Sequence, residues 1–165
     1  MKKGSRRTSG SEVMVLLNPV FVQPIGIVRN SLGMRSFSEW KDTESEIVVS
    51  EEYKEALYRL DEFSHVEVLF YLHEVNRDFR SKIHPTGNTD YPLMGAFATR
   101  TPNRPSKIAL TTCRLLSIKG NVLRVRGLDA YEGSPVLDIK PYTGKTIENI
   151  RIPEWLENLK NKNED

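Results

Sequence analysis

The sequence predicts a mainly β protein: a compact antiparallel β-barrel with one short helix and a possible C-terminal helix. Three observations lead there. Six to eight short apolar runs are separated by turns rich in Gly, Pro and Asn. These runs do not alternate with helical segments, which argues against a parallel doubly wound sheet. Short antiparallel strands in a single domain of 165 residues, without an internal repeat, are best satisfied by closing the sheet on itself. The length and a hydrophobic fraction of 38% support one core. The chain divides into a disordered basic tail over 1–12, a barrel domain over 13–152, and a C-terminal tail or short helix over 153–165.

The elements follow in order. Residues 1–12 are Lys, Arg, Ser and Gly around Met1, with too little apolar content to fold. Val13–Gln23 is compatible with an added strand. Ile25–Arg29 after Pro24 reads as the first strand, with Asn30–Gly33 as its turn. Met34–Glu44 is polar but holds Phe37 and Trp40, two aromatics that need the core, a ligand or another subunit. Glu46–Ser50 is a short strand. Ser50 then caps a helix over Glu51–Leu60, with Glu51 and Glu52 at its positive end and Tyr53, Ala56, Leu57 and Leu60 on one face. His65–Leu72 is a strand whose two faces are both largely apolar, so both are expected to be covered. Asn76–Pro92 is a long polar loop. Gly95–Thr99 and Ile108–Thr112 read as strands, the second continuing to Ile118. Lys119–Asn121 turns the chain into Val122–Arg126, which makes a hairpin. Val136–Lys140 is the last strand, and Glu154–Lys162 after Pro153 suits a helix.

Charge and composition exclude several classes. Lys and Arg number 24 against 22 Asp and Glu, so the net charge of +2 says little, but its distribution is uneven. Cations gather at Lys2–Arg7 and at Arg77, Arg80 and Lys82, with acid at Glu39–Glu55 and the C-terminus. One cysteine, Cys113, forbids an internal disulfide and reads as a small core residue. It and three scattered histidines, His65, His73 and His84, have no zinc-site spacing. No apolar run approaches a membrane span, and Val13–Leu17 is too short for a signal peptide, so a cytoplasmic protein is expected. There is no Gly-x-Gly-x-x-Gly after a strand, no P-loop and no Gly-x-Ser-x-Gly.

Four constellations carry possible chemistry. Between the two central strands, Arg100, Arg104 and Lys107 fall within eight residues without an acid. Pro102 and Pro105 stiffen that loop, which suits a preplaced anion site; a solvated surface turn explains it equally well. Glu132-Gly133-Ser134-Pro135 beside Asp129 forms a tight acidic turn able to accept hydrogen bonds from hydroxyls or an amine, or simply to face water. His73-Glu74 at a strand end offers a base or a ligand contact, although a histidine there is more often a satisfied structural one. Lys140 and Asp138 read as a surface ion pair worth little. Together the loop and turn suit a zwitterionic or nucleotide-like ligand.

At these residues a resemblance becomes specific. Pro24–Arg29, Phe63-Ser64-His65 with Leu69-Phe70 and His73, Phe97–Arg100 with Arg104-Pro105, and Gly133–Tyr142 occur in order over about residues 24–142 and together resemble the TsaA-like (TrmO) family. Ile152–Trp155 resembles its short, single-domain members. The resemblance implies a β-barrel that binds S-adenosylmethionine, acts as a homodimer, and methylates N6 of N6-threonylcarbamoyladenosine next to the anticodon of tRNA, without a metal. Carried over by position, it implies cofactor contacts from His73, Glu74, Arg100, Leu110, Glu132, Gly133, Ser134 and Pro135. Arg77, Arg80, Lys82, Arg100, Arg104 and Lys107 are then candidates for the tRNA phosphates, with Trp40 to stack on a base. No catalytic base is identified.

The chain departs from the family in three places. Lys107 and Ala109 replace a proline and a glycine, which would relax the loop and crowd the ligand. Ser38–Asp42 does not match the family's Pro-Arg-Gln-like loop. Glu132 stands where Asp is usual. The altered Ser106–Ala109 segment motivates an alternative reading: a non-catalytic barrel that binds S-adenosylmethionine or a nucleotide and acts as a sensor or RNA-binding partner. A methyltransferase for another substrate lies between the two.

Overall fold

A computed structural model describes residues 18–30, 40–144 and 147–161. The expected basic tail over 1–12 and the Asn30–Gly33 turn beyond its first residue lie outside the described residues, as do Phe37 and Ser38-Glu39. Eight strands are present among those described: β1 (Gly26–Arg29), β2 (Glu44–Val49), β3 (His65–Tyr71), β4 (Lys82–Ile83), β5 (Met94–Gly95), β6 (Ile108–Lys119), β7 (Val122–Arg126) and β8 (Pro135–Pro141). Six close into an antiparallel barrel in the order β1-β2-β7-β6-β3-β8, with β8 returning to β1. β4 and β5 form a separate two-stranded ribbon. Helix α1 (Glu154–Asn161) follows Pro153 as expected.

Alternation along the strands fills the barrel. Val66, Val68 and Phe70 of β3 face Cys113 and Leu115 of β6, Leu123 and Val125 of β7, Ile47 and Val49 of β2, Val28 of β1 and Val136 of β8 in one buried cluster. Burying side chains of this size contributes about 1.5–3 kcal/mol each. Two bulges bend the sheet: the register of β3 on β8 skips Leu137, and that of β6 on β7 skips Leu116. Such extra residues increase local twist, which a narrow closed barrel requires. Cys113 is buried as expected, and its thiol is pushed up to about 12, chiefly by burial and further by the Asp129 charge.

Four expectations are corrected. Glu51–Leu60 is not one α-helix but a 3-10 helix over Glu51–Leu57 and a second over Leu60–Glu62, separated by Arg59 at φ +63°. Ser50 makes no side-chain cap; its carbonyl accepts from Tyr53 N instead, and Ala56 is exposed. Gly95–Thr99 is not a strand: only Met94-Gly95 pairs, and Ala96–Ala98 coils into a 3-10 turn closed by Thr99 N on Ala96 O. Residues 18–23 are irregular, with Val20 and Phe21 exposed, so no strand is added there. The second face of β3 is only half covered: His65, Glu67 and Leu69 are half-buried, and Tyr71 and its β6 partner Ile108 remain exposed. In each case a short apolar run fitted two structures, and the tertiary frame selected one.

Closure depends on a glycine. Gly26 pairs with Val49 on one side and Val136 on the other. A Cβ at this position would lie 2.4 Å from Val48 O and 2.9 Å from Val49 Cα, both backbone atoms that cannot swing aside. Gly26→Ala is therefore expected to destabilise the fold by about 1–3 kcal/mol. Thermal denaturation should show the midpoint falling by roughly 2–12 °C.

Candidate functional site

β6 outruns β7. Their register ends at Arg114↔Arg126, so Ile108–Cys113 continues without β7 beside it. From Gly127, at φ +86°, the chain crosses this open margin as a loop to Pro135. The loop is fixed at both ends. Asp129 accepts a hydrogen bond from Thr111 Oγ1 of β6. Gly133 N donates to Val28 O at 2.8 Å, and Val28 N donates to Ser134 O at 2.9 Å, so β1 grips the far end. Gly133 takes φ +76°, the left-handed conformation that favours glycine.

Most of the expected cofactor contacts lie around this loop. His73 follows β3 and places Nδ1 3.3 Å from Ser134 Oγ and Nε2 3.3 Å from a Glu74 carboxylate oxygen. Arg100 Nη2 donates to Leu110 O at 2.7 Å, one residue along β6 from the Thr111–Asp129 contact. Pro135 pairs with Ile27 at the barrel seam. Glu132 faces the other way. Its Oε1 accepts from Arg29 Nη1 at 2.7 Å and its Oε2 from Asn30 N at 2.5 Å. Ser134, His73 and Glu74 together have the order of a nucleophile triad, but Ser134 is only 2% exposed and cannot reach a substrate.

The expected phosphate contacts separate into two groups. Arg77, Arg80 and Lys82 are exposed. Lys107 Nζ donates to Val75 O at 2.6 Å, and Arg104 Nη1 donates to Thr99 O at 3.1 Å, so both brace the chain. Lys107 takes φ +51°, where a proline ring, locked near −65°, cannot fit. The Lys-for-Pro departure is thus tied to the local backbone, and the amine replaces the ring as the stiffener. Ala109 pairs with Phe70 and packs on the core, so its methyl points inward and not over the open margin.

Trp40 is not an exposed stacking residue. It is buried, its ring centroid 5.7 Å from that of Tyr131. Phe79 and Phe97 do stand exposed, and Arg104 lies 5.5 Å from the Phe97 centroid. Neither is marked by periodicity, and Phe97 sits inside the run read as a strand. Lys140 pairs with Asp138 at 2.5 Å on the barrel exterior, as expected. A groove of about 480 Å³ lined by Arg29, Glu44, Arg124 and Glu132 holds charges that pair with one another, Arg124 and Arg126 both binding Glu44. Among the described residues no cluster of three or more His, Cys, Asp or Glu could hold a metal ion, and no helix is long and apolar enough to cross a membrane.

The pattern of the tRNA-methyltransferase O N-terminal domain matches residues 30–146. The chain belongs to that family. A Methanothermobacter thermautotrophicus protein named "Probable S-adenosyl-L-methionine-binding protein" is 42% identical over 125 residues, 73% of this chain and 88% of that protein. The tRNA (adenine(37)-N6)-methyltransferase of Mus musculus is 40% identical over 88 residues, 53% of this chain and 20% of the mouse protein. The crystal structure of TrmO from Pseudomonas aeruginosa superposes with a TM-score of 0.65 at 27% identity, covering 81% of this chain and 61% of that one. The chain therefore spans most of its archaeal relative but under two thirds of the solved bacterial chain.

A tRNA-methyltransferase O barrel with this donor set fits a zwitterionic nucleoside such as S-adenosylmethionine. Arg100 is exposed and suits a carboxylate, while Glu74 and Asp129 suit an amine or hydroxyls. The fit excludes two groups. The Gly133 and Ser134 amides are spent on Val28 O and Tyr131 O, and both Glu132 oxygens are spent on Arg29 and Asn30. Glu132 is thus a strut between the turn and β1.

The Arg29 guanidinium, and after it the Asn30 amide, hold the Glu132 carboxyl below its ordinary 4.5. A depressed folded-state value means the strut stabilises the fold above about pH 4.5 and is lost as pH falls through the lower value. Relative to Glu132→Gln, the wild type should be more stable at neutral pH, and the difference should narrow as pH falls below about 4.5. Parallel melts across pH 3–7 check this; a gap that stays constant or widens towards acid contradicts the assignment.

Proposed function

We propose that this chain is an S-adenosylmethionine-dependent methyltransferase acting on N6 of N6-threonylcarbamoyladenosine beside the anticodon of tRNA, working as a homodimer in the cytoplasm. The observation that carries the reading is the match to the tRNA-methyltransferase O N-terminal domain over residues 30–146, in a chain where His73 sits between Ser134 and Glu74 and an exposed Arg100 bonds Leu110 O, next to the Thr111 that pins the loop. The name of the mouse relative, which specifies adenine 37 and N6, supports the choice of atom.

When bound, S-adenosylmethionine would supply a methyl group: the S–CH3 bond breaks as the N6–CH3 bond forms, the sulfur departs as a neutral thioether, the N6 proton goes to water, and no metal is needed. The protein's task is then alignment of donor carbon and acceptor nitrogen. Arg100, held in place by its bond to Leu110 O, orients the carboxylate of the cofactor. His73, held between Ser134 and Glu74, borders the same loop with a fixed ring plane. Arg77, Arg80 and Lys82 draw in the RNA backbone, and affinity should fall steeply with salt.

Dimerisation is supported by the outer face of β3 and β6. Tyr71 opposite Ile108, and Leu69 opposite Leu110, form an apolar strip in which Tyr71, Ile108 and Leu110 are each about 40% exposed. The non-catalytic reading rested on Lys107 and Ala109. The first braces the loop and the second faces the core, so neither gives it a reason.

A hundredfold excess of S-adenosylmethionine over Kd should raise stability by about 2.7 kcal/mol, a melting shift of roughly 5–10 °C, and Arg100→Ala should abolish most of it. Labelled methyl transfer to tRNA, followed by nucleoside analysis, should yield the N6-methylated product. Cofactor binding without transfer would favour the sensor reading. For the dimer, Ile108→Glu should convert the protein to a monomer in light scattering; an unchanged mass would place the interface elsewhere.

A further inference from the structure

We propose that Phe97, stacked on Phe79, is the platform on which an unpaired RNA base is held. The inference rests on the tRNA reading above and adds the residue pair that grips the base. The rings lie 6.4 Å apart at 26°, with Phe97 74% and Phe79 44% exposed. Exposed aromatics gain little from each other by burial, yet the chain fixes this pair from several sides. Asn103 Nδ2 donates to Asp78 O at 2.5 Å, and Ala96 N donates to Ser81 O at 2.9 Å. Lys82 pairs with Gly95 across the β4–β5 ribbon. Arg104 lies 5.5 Å from the Phe97 centroid while bonding Thr99 O, so a fixed cation borders a ring that is still 74% exposed. The first three ties join the 76–82 loop to the 95–104 loop, the Arg104 contacts stiffen the second loop internally, and the two phenylalanines are carried one on each loop.

The surroundings select the occupant. From Asn76 to Lys107 there are six Lys or Arg and two Asp. Arg77, Arg80, Lys82 and Arg100 are exposed around the pair. A rigid ring pair among free cations matches a nucleobase with its flanking phosphates, because bases stack on aromatic faces whatever their identity while Lys and Arg follow the backbone. An apolar protein partner would leave those cations unpaired at its rim.

The test is binding of the full chain to a tRNA anticodon-arm hairpin carrying 2-aminopurine in its loop, titrated at several salt concentrations. Phe97→Ala is expected to weaken binding about tenfold or more, to remove the fluorescence quenching due to stacking, and to leave the slope of log K against log salt unchanged. Phe97→Trp should restore both affinity and quenching. Arg80→Ala should instead reduce the slope by about one phosphate contact while retaining quenching. The cofactor-induced melting shift of Phe97→Ala should equal that of the wild type, which separates a lost platform from a misfolded loop. If wild type binds and methylates tRNA and Phe97→Ala binds equally well, this inference falls and the functional reading stands. If the hairpin binds through Phe97 but no methyl is transferred, the platform stands and the enzymatic reading falls. If Phe97→Ala alters only the oligomeric mass, the pair is a contact between copies of the chain and the inference is overturned.

Discussion

Barrel closure through β1 is the constraint on which the rest depends. β1 has four residues and must satisfy β2 on one side and β8 on the other. Gly26 permits the approach, since a side chain there would strike the β2 backbone. The same strand builds the site. Val28 both accepts from Gly133 N and donates to Ser134 O, which brings Ser134 to His73 at the end of β3. Fold and candidate site are therefore joined through one residue of one short strand. Anything that opens the seam also releases the turn.

The cations show how function is divided from support. By sequence, Arg100, Arg104 and Lys107 form one basic loop. In space they do three things. Lys107 anchors to Val75 O, Arg104 braces the Ala96–Thr99 turn, and Arg100 remains exposed beside Leu110 O. A guanidinium or ammonium satisfied by backbone carbonyls is a strut whose charge is still felt nearby but whose donors are partly spent. Among the described residues of this region, the cations of the 76–82 loop stay exposed, and Arg100 stays exposed while one of its donors is held by Leu110 O. Glu132 repeats the lesson for acids, since it looks available in sequence but closes the turn against Arg29 and Asn30.

Legibility in the sequence followed the strength of the local signal. β3 and β7 were readable because Val66, Val68 and Phe70, and Leu123 and Val125, alternate with polar or outward residues. The hairpin at Gly120-Asn121 was readable from its turn chemistry, and α1 from Pro153. Glu51–Leu60 was not, because a run of ten residues can satisfy the same apolar face as a 3-10 helix, and Arg59 in a left-handed conformation breaks it. Gly95–Thr99 has strand-like composition, yet only two residues find a partner strand. The site was legible only through motif resemblance. No periodicity indicates that Ser134 meets His73 across 61 positions, because that contact is made by closure. Trp40 misled for the same reason: its burial is conferred by Tyr131, far along the chain.

A small barrel of this kind can serve alignment chemistry without a nucleophile or a metal only if its contacts are fixed before ligands arrive. Ordering a loop on binding costs about 0.5–1.5 kcal/mol for each immobilised side chain. Here that ordering is already present in the fold. The loop over the margin of β6 is pinned at Asp129 and at Gly133-Ser134, and the two loops that carry the exposed aromatics are tied to each other by backbone acceptors. The surfaces left exposed, Arg100 and the cations of the 76–82 loop, are long side chains on rigid bases. They can adapt to phosphate spacing while the frame beneath them does not move. Under the function proposed above, electrostatic attraction brings the RNA to this surface and the fixed frame determines its position.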